Sequence, residues 1–309
     1  MSTIVTVTFS PCIDKTTSVK KLLPDKKLQC ASPKLEPGGG GINVARAIKK
    51  LGGHAVAVYP SGGYTGKYFN HLLVEEKVDS IVIETQNETR ENFIIVDESE
   101  NAQYRFGMPS AHLSEAEWQQ CLKSVEEING ISFIVASGSL PPGVPLNIFA
   151  QLAKIAKNKN AKFVVDTSGE ALREAVNEGV YLLKPNLGEL CFLSRKAHLQ
   201  KHEIENAAKE IIAAGKCEVI VVSMGEEGAM IVTNDIAEII KPPSVIRKST
   251  VGAGDSMVAG IVHYLSKEKS IVAAVKYGVA CGTAATMNEG TELCNVKDVE
   301  ILFAEMKEH

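Results

Sequence analysis

Ser249-Thr250-Val251-Gly252-Ala253-Gly254-Asp255-Ser256-Met257 is a small-residue turn that runs into an apolar helix and carries one acid at its start. Glycines at 252 and 254 let the backbone turn tightly and approach a ligand closely. Met257–Leu265 has helical periodicity, so free N–H groups point at whatever lies before it and an anion is held without any cation. Asp255 makes chemical sense there once a hydroxyl substrate stands beside the phosphate, because its carboxylate can accept the hydroxyl proton during attack. The same nine residues also fit a capping Asp on an ordinary helix.

A second glycine cluster narrows the choice. Glu36-Pro37-Gly38-Gly39-Gly40-Gly41-Ile42-Asn43-Val44-Ala45-Arg46-Ala47 sets four glycines before a helix with apolar positions Ile42, Val44, Ala45, Ala47, Ile48 and Leu51. Such a run lets a ligand lie against bare backbone. It is not a dinucleotide fingerprint, since the third glycine of G-x-G-x-x-G falls on Asn43 or Val44, which disfavours a hydride-transfer enzyme. Ser61-Gly62-Gly63-Tyr64-Thr65-Gly66-Lys67-Tyr68 imitates a P-loop but has Ser61 for the first glycine and Tyr68 where Ser or Thr must bind magnesium. It reads as a strand-to-helix turn.

The 309 residues, 45% hydrophobic and 23% charged with a net charge of −4, describe a soluble globular chain of one large or two smaller α/β domains. No basic surplus suggests nucleic acid. Seven cysteines, at 12, 30, 121, 191, 217, 281 and 294, lack metal-type spacing and point to a reducing cytoplasm. The strand-like Thr3–Phe9 follows no leader pattern, and no run of about 18 apolar residues predicts a membrane span.

Strand patterns at Ala55–Tyr59, Phe133–Ala136, Phe163–Val165, Tyr181–Leu183 and Val219–Val222 alternate with amphipathic stretches. This is the pattern of a parallel sheet with crossover helices. Helices are expected at Thr65–Lys77, Glu115–Asn129, Pro145–Lys157, Glu203–Ala214, Ser256–Leu265 and Ser270–Met287. Lys20–Pro33 and Thr89–Met108 break the rhythm and read as extended strands of a small sheet standing off the main domain. With open edges and one apolar face, that sheet predicts a homodimer formed by pairing with its copy.

Five separated blocks carry a resemblance: Thr8-Phe-Ser-Pro11-Cys-Ile-Asp14, Gly38–Arg46, Ser137-Gly-Ser139-Leu-Pro-Pro, Lys184-Pro-Asn186-Leu-Gly-Glu189 and Val251-Gly-Ala-Gly-Asp255. Their order and spacing resemble the ribokinase-like (PfkB) carbohydrate kinase family over nearly the whole chain. The glycine block, Arg90, Tyr104-Arg105-Phe106 and Asn288-x-Gly290-Thr291 are most similar to its minor-isozyme type of bacterial 6-phosphofructokinase. The resemblance implies an α/β fold, a three-layer α/β/α sandwich with a mainly parallel sheet, as one domain over 1–309. A β-sheet lid is implied at about 15–35 and 88–107. It implies ATP-dependent phosphorylation of fructose 6-phosphate at C1, in glycolysis. Tagatose-6-phosphate kinase and 1-phosphofructokinase are the alternatives, and a non-catalytic sugar-phosphate-binding regulator is the rival of another class.

The resemblance also implies roles. Asp255 is the base, and Gly252, Ala253 and Gly254 offer N–H groups to the transferred phosphoryl. Asp14, read as following a strand end, binds sugar hydroxyls with Gly39, Gly40 and Asn43. Arg90, Arg105 and Ser139 take the sugar's own phosphate. Lys184, Asn186, Ser223, Gly225, Gly228 and Asn288 flank the nucleotide, with Asp166 a weaker candidate near the sugar. Glu189 holds Mg2+ largely through water, though Asn186 and Glu189 also suit a helix cap. Carbonyls near Ser249, Val251, Ala285, Asn288 and Gly290 hold a monovalent cation, K+, and Glu292 stands where similar kinases have Arg. Lys27 and Arg46 read as surface or structural residues.

Overall fold

Alternating β-branched and amphipathic segments resolve, in a computed structural model that describes residues 3–306, into strands and helices that sort onto two sheets. The strands are β1 Thr3–Val7, β2 Cys12–Val19, β3 Lys34–Gly38, β4 Ala55–Gly62, β5 Asp79–Thr85, β6 Arg90–Asp97 and β7 Ala102–Phe106. They continue with β8 Ile131–Ser137, β9 Lys162–Asp166, β10 Val180–Leu183, β11 Cys217–Ser223, β12 Ala229–Val232 and β13 Ala237–Ile240. The helices are α1 Gly40–Lys50, α2 Gly63–Glu75, α3 Glu115–Glu127, α4 Ile148–Asn158, α5 Gly169–Glu178, α6 Leu187–Ser194, α7 Ile204–Ala213, α8 Ala253–Leu265, α9 Ile271–Thr286 and α10 Val296–Glu305.

The large sheet has the order β13-β12-β11-β10-β9-β8-β1-β4-β5 and is parallel from β11 through β5, with β12 and β13 antiparallel at one edge. Both faces of its strands are apolar, as a covered parallel sheet requires. Ile4, Phe133, Val135 and Val164 pack with Ile42 of α1, Val258 of α8, Val279 of α9 and Phe303 of α10. Their neighbours Val5, Val7, Ile134 and Val165 pack on the other side against Val125 of α3, Leu152 of α4, Leu172 of α5 and Ala208 of α7. The expected three layers follow from this period of two. The chain turns to opposite sides of β1 when it adds β4 and β8, so the crevice at the carboxyl ends of β1 and β8 is the place where ligands of such sheets gather.

The smaller sheet has the order β3-β2-β6-β7. Its register pairs Cys12 with Arg90, Asp14 with Asn92 and Ile94 with Arg105, so Cys12, Asp14, Arg90, Asn92 and Arg105 share one face, which looks toward the crevice. The opposite face carries the pairs Lys15–Phe93, Phe93–Phe106 and Ile95–Tyr104. Phe93, Tyr104 and Phe106 are exposed there.

Some expectations shift. Lys20–Pro33 is irregular rather than extended, and the strands lie on either side of it, at β2 and β3. Pro24 and Pro33 lack the N–H that a ladder needs, and the segment is tied to β2 by Ala31 N–H to Ser18 O at 3.0 Å. Asp14 is therefore the third residue of β2 rather than a residue after a strand end. Helix α8 begins at Ala253, which puts Asp255 inside its first turn. The ends of the single-domain reading, 1–2 and 307–309, lie outside the described residues.

Candidate active site

Asp255 is placed by α8, whose N-cap Gly252 has φ 73°, the left-handed turn that a glycine adopts without strain. The amides of Ala253, Gly254 and Asp255 precede any intrahelical acceptor, and the ladder starts with Ser256 N–H to Gly252 O at 2.8 Å. Above them Asp255 Oδ2 accepts from Asn43 Nδ2 at 2.9 Å, and Ser137 Oγ stands 3.5 Å from Oδ1. Burial raises the Asp255 carboxyl to about 6, and Asp166 adds to the rise, while Asn43, Lys184 and Ser137 pull against it. A carboxylate poised there suits a proton acceptor near neutral pH.

The expectation of an anion site without a cation needs correction. Lys184, buried just after β10, forms an ion pair with Asp166 at 3.2 Å, and its Nζ lies 3.6 Å from where a Gly254 side chain would begin. An ammonium therefore abuts the glycine turn. Burial works against that charge, but Asp166, Glu189 and Asp255 outweigh it and hold the lysine above its ordinary range. The capping possibility for Asn186 and Glu189 is realised: Glu189 N–H donates to Asn186 Oδ1 and Asn186 N–H donates to Glu189 Oε2, both at 2.9 Å. Nδ2 and Oε1 stay outside that box. Burial, then Asp166, lifts the Glu189 carboxyl above its usual range.

A cavity of about 510 Å³ opens beside the turn, lined by Ser223, Gly225 and Gly228 on one wall and by Ala253, Gly254 and Thr283 on the other. That volume suits a nucleoside. Asn288 does not line it, and its Nδ2 instead donates to Leu293 O at 3.0 Å within the neighbouring loop. That loop meets the segment before Gly252 through Lys248 N–H to Thr286 O at 2.8 Å and Ser249 Oγ to Gly290 O at 2.7 Å. Val251 N–H donates to Ser249 Oγ at 3.2 Å, and Asn288 N–H to Ala285 O at 3.2 Å. Glu292 pairs with Lys34 of β3 at 3.1 Å, so its unusual charge is matched locally.

On the other side of Asp255 lies the polar face of the small sheet. Asp14 Oδ1 accepts from Asn92 Nδ2 at 2.9 Å and from the Cys12 thiol at 3.3 Å, and burial keeps its carboxyl above the ordinary value. Arg90 donates to Ser10 O at 3.2 Å and Met108 O at 3.0 Å, leaving a buried Nε without a protein partner. Arg105 reaches across the cleft to Thr250 Oγ1 at 3.1 Å. Gly39 caps α1, and Gly40 is pressed on the Ser137–Gly138 backbone so closely that a Cβ there would collide with it. Part of the glycine run therefore serves packing between α1 and β8. Ser139, exposed two residues past β8, has no hydrogen bond, and Lys27 is exposed on the lid.

Sequence reasoning gave no role to Asn92, Cys12 or Ser137. Asn92 had a signal, since two residues after Arg90 on a strand means the same face. Arg46 is neither exposed nor peripheral: it is 2% exposed and hydrogen-bonded to Asn43.

A family model described as pfkB family carbohydrate kinase matches residues 7–298. The chain is 43% identical over 305 residues to ATP-dependent 6-phosphofructokinase isozyme 2 of Escherichia coli strain K12, covering 98% of this chain and 99% of that one. The structure of Escherichia coli phosphofructokinase-2 in complex with potassium superimposes with a TM-score of 0.96 at 42% identity, over 99% of this chain and 100% of the other. The tetrameric inhibited form of the Escherichia coli protein gives 0.94 at 42% identity with the same coverage.

Proposed function

The chain belongs to the pfkB family of carbohydrate kinases, and on that premise we propose that it transfers the γ-phosphoryl group of ATP to the C1 hydroxyl of fructose 6-phosphate. The observation that carries this reading is one carboxylate, Asp255, between a nucleotide-sized cavity and a polar sheet face bearing two arginines.

Chemistry follows from that placement. Asp255 accepts the C1 hydroxyl proton as the sugar oxygen bonds to phosphorus and the bond from phosphorus to the bridging oxygen of ADP breaks. The N–H groups of Ala253 and Gly254, with the Lys184 ammonium beside them, face the charge on the transferred phosphoryl and need no reorganisation. Asp14 and Asn43, with the backbone at Gly39 and Gly40, orient the sugar. Arg90, Arg105 and Ser139 hold its phosphate, which asks Arg90 and Arg105 to exchange their present partners for oxygens of the ligand.

Ser223, Gly225 and Gly228 face the nucleotide, with Lys184 and Asn186 near its phosphates and Asn288 supporting the loop beyond. Magnesium fits the Glu189 edge as a mostly hydrated ion, because Oε1 is a hard carboxylate oxygen that stays outside the cap. Bound there, it would neutralise the leaving phosphates. Carbonyls at Ser249, Val251, Ala285, Asn288 and Gly290 are hard oxygens on two segments already joined by Ser249, which suits K+. Substrates are small molecules, and no described helix is long and apolar enough to cross a membrane. The cytoplasm suits seven unpaired thiols and phosphorylated substrates.

The exposed Phe93, Tyr104 and Phe106 face supports pairing of two lids into a homodimer. Replacing Phe93 and Phe106 together by Asp is expected to give monomers in light scattering, and a wild-type protein that is already a monodisperse monomer removes the dimer. The activity itself is tested by kcat/KM with fructose 6-phosphate, tagatose 6-phosphate, fructose 1-phosphate and fructose side by side. Fructose 6-phosphate is expected to lead. A lead by another phosphosugar moves the substrate assignment, and folded protein that binds ATP but turns over none of the four supports the regulator.

A further inference from the structure

Arg46 lies three residues beyond Asn43 on α1, with its charge buried. Its Nε and Nη2 donate to Glu76 at 2.7 and 2.6 Å, at the C-terminal cap of α2. Nη1 donates to Pro37 O at 2.7 Å and to Asn43 Oδ1 at 3.4 Å. Glu36 Oε1 is 3.6 Å from Nη2, and Glu36 Oε2 accepts from Thr291 Oγ1 at 2.7 Å, so one guanidinium is tied to α2, to β3 and to the loop past Asn288. A buried ion pair is a poor source of stability compared with apolar side chains of the same volume. Its position directly behind Asn43 offers another use.

The Asn43 amide has one acceptor end and one donor end. Arg46 occupies the acceptor end, so the donor end must face Asp255. An ionised Asp255 accepts that donor, but a protonated one is served as well by the amide oxygen, and a free amide turns over to provide it. We propose that Arg46 is a positioning residue that locks the Asn43 amide with its donor toward Asp255, favouring the ionised base and tying its orientation to the β3 strand that leads into the glycine turn. This rests on Asp255 being the base. The other groups facing Asp255 are Asp166 from β9, Lys184 after β10, Ser137 from β8 and the Cys12 thiol from β2, and none of them touches Arg46.

Titration of the Asp255 carboxyl carbon by NMR in the ligand-free protein, assigned by its loss in Asp255→Asn, tests this without turnover. Arg46→Lys keeps the charge and loses the fork. It is expected to raise the midpoint by about one pH unit and to lower kcat/KM at acidic pH in a way that higher pH restores. In an Asn43→Ala background the same change is expected to move the midpoint no further. A wild-type midpoint in Arg46→Lys, or an equal shift with and without Asn43, overturns the proposal. Where Arg46→Lys does not fold, Glu76→Gln keeps the arginine and loosens it, and a smaller rise in the same direction supports the proposal while no rise overturns it. Because the titration needs no catalysis, inactive wild-type protein removes the kinase reading and still leaves this coupling decided by the midpoints.

Discussion

Asp255→Asn is expected to lower kcat by about 10²- to 10⁴-fold and, at neutral pH, to make the protein more heat-stable. The amide keeps the shape of the carboxylate and its contact with Ser137, but it cannot take the proton from a hydroxyl. The stability gain follows from the carboxyl's position at about 6 against an ordinary 3.8. A carboxyl raised by folding binds its proton more tightly in the native state, so ionising it opposes folding. The sign is fixed by which state holds the proton. Below about pH 4 both states are protonated and the cost is absent; it grows as pH rises through about 6 and is complete above that. Two units correspond to at most about 3 kcal/mol, reduced by the partial exposure of the group to the cleft. Asn removes the cost, so thermal midpoints of variant and wild type should differ by a few degrees at pH 7.5 and converge toward pH 4.5. Wild-type turnover in the folded variant would sink the assignment of the base. The same titration is expected to make wild-type kcat/KM fall below about pH 6.

Lys184→Met carries the second large effect. Its ammonium abuts Gly254 and neutralises Asp166, so its loss removes a cation from the proposed phosphate site and leaves a poorly solvated carboxylate unpaired. A fall in kcat of about 10²- to 10³-fold with ATP and fructose 6-phosphate is expected, and a stability loss of about 3 kcal/mol in urea unfolding. The acidic limb of the pH profile moves up as well, because Lys184 is one of the groups holding Asp255 down. Lys184→Arg does not rescue, since a planar fork cannot replace a compact ammonium pressed against backbone. Unchanged kcat in Lys184→Met would place the phosphate elsewhere.

The parallel core was legible because its strands are short β-branched runs separated by amphipathic helices, a pattern that needs no knowledge of partners. Glycine turns were legible for the same local reason. Helices α5 and α10 escaped notice. Helix α5 buries only Ala171, Leu172, Ala175 and Val176, a narrow stripe within ten residues, and α10 buries only Val299, Leu302 and Phe303. The lid was located only coarsely, since half of β2 is Thr, Ser and Lys and one of its faces is polar. The distant partners of buried charges could not be read. Arg46 is buried because Glu76, thirty positions away, meets it, and Lys184 reaches Gly254 across seventy residues of chain. Local sequence carries the identity of such charges but not what neutralises them.

Transfer of phosphoryl from nucleotide to sugar can be followed by phosphorus NMR of the purified protein with magnesium, ATP and fructose 6-phosphate. ADP and fructose 1,6-bisphosphate are expected to appear in equal amounts with no free phosphate, and both to appear about 10²- to 10⁴-fold more slowly in Asp255→Asn. ATP left intact by folded protein, or ADP accompanied by inorganic phosphate in place of the bisphosphate, would contradict it.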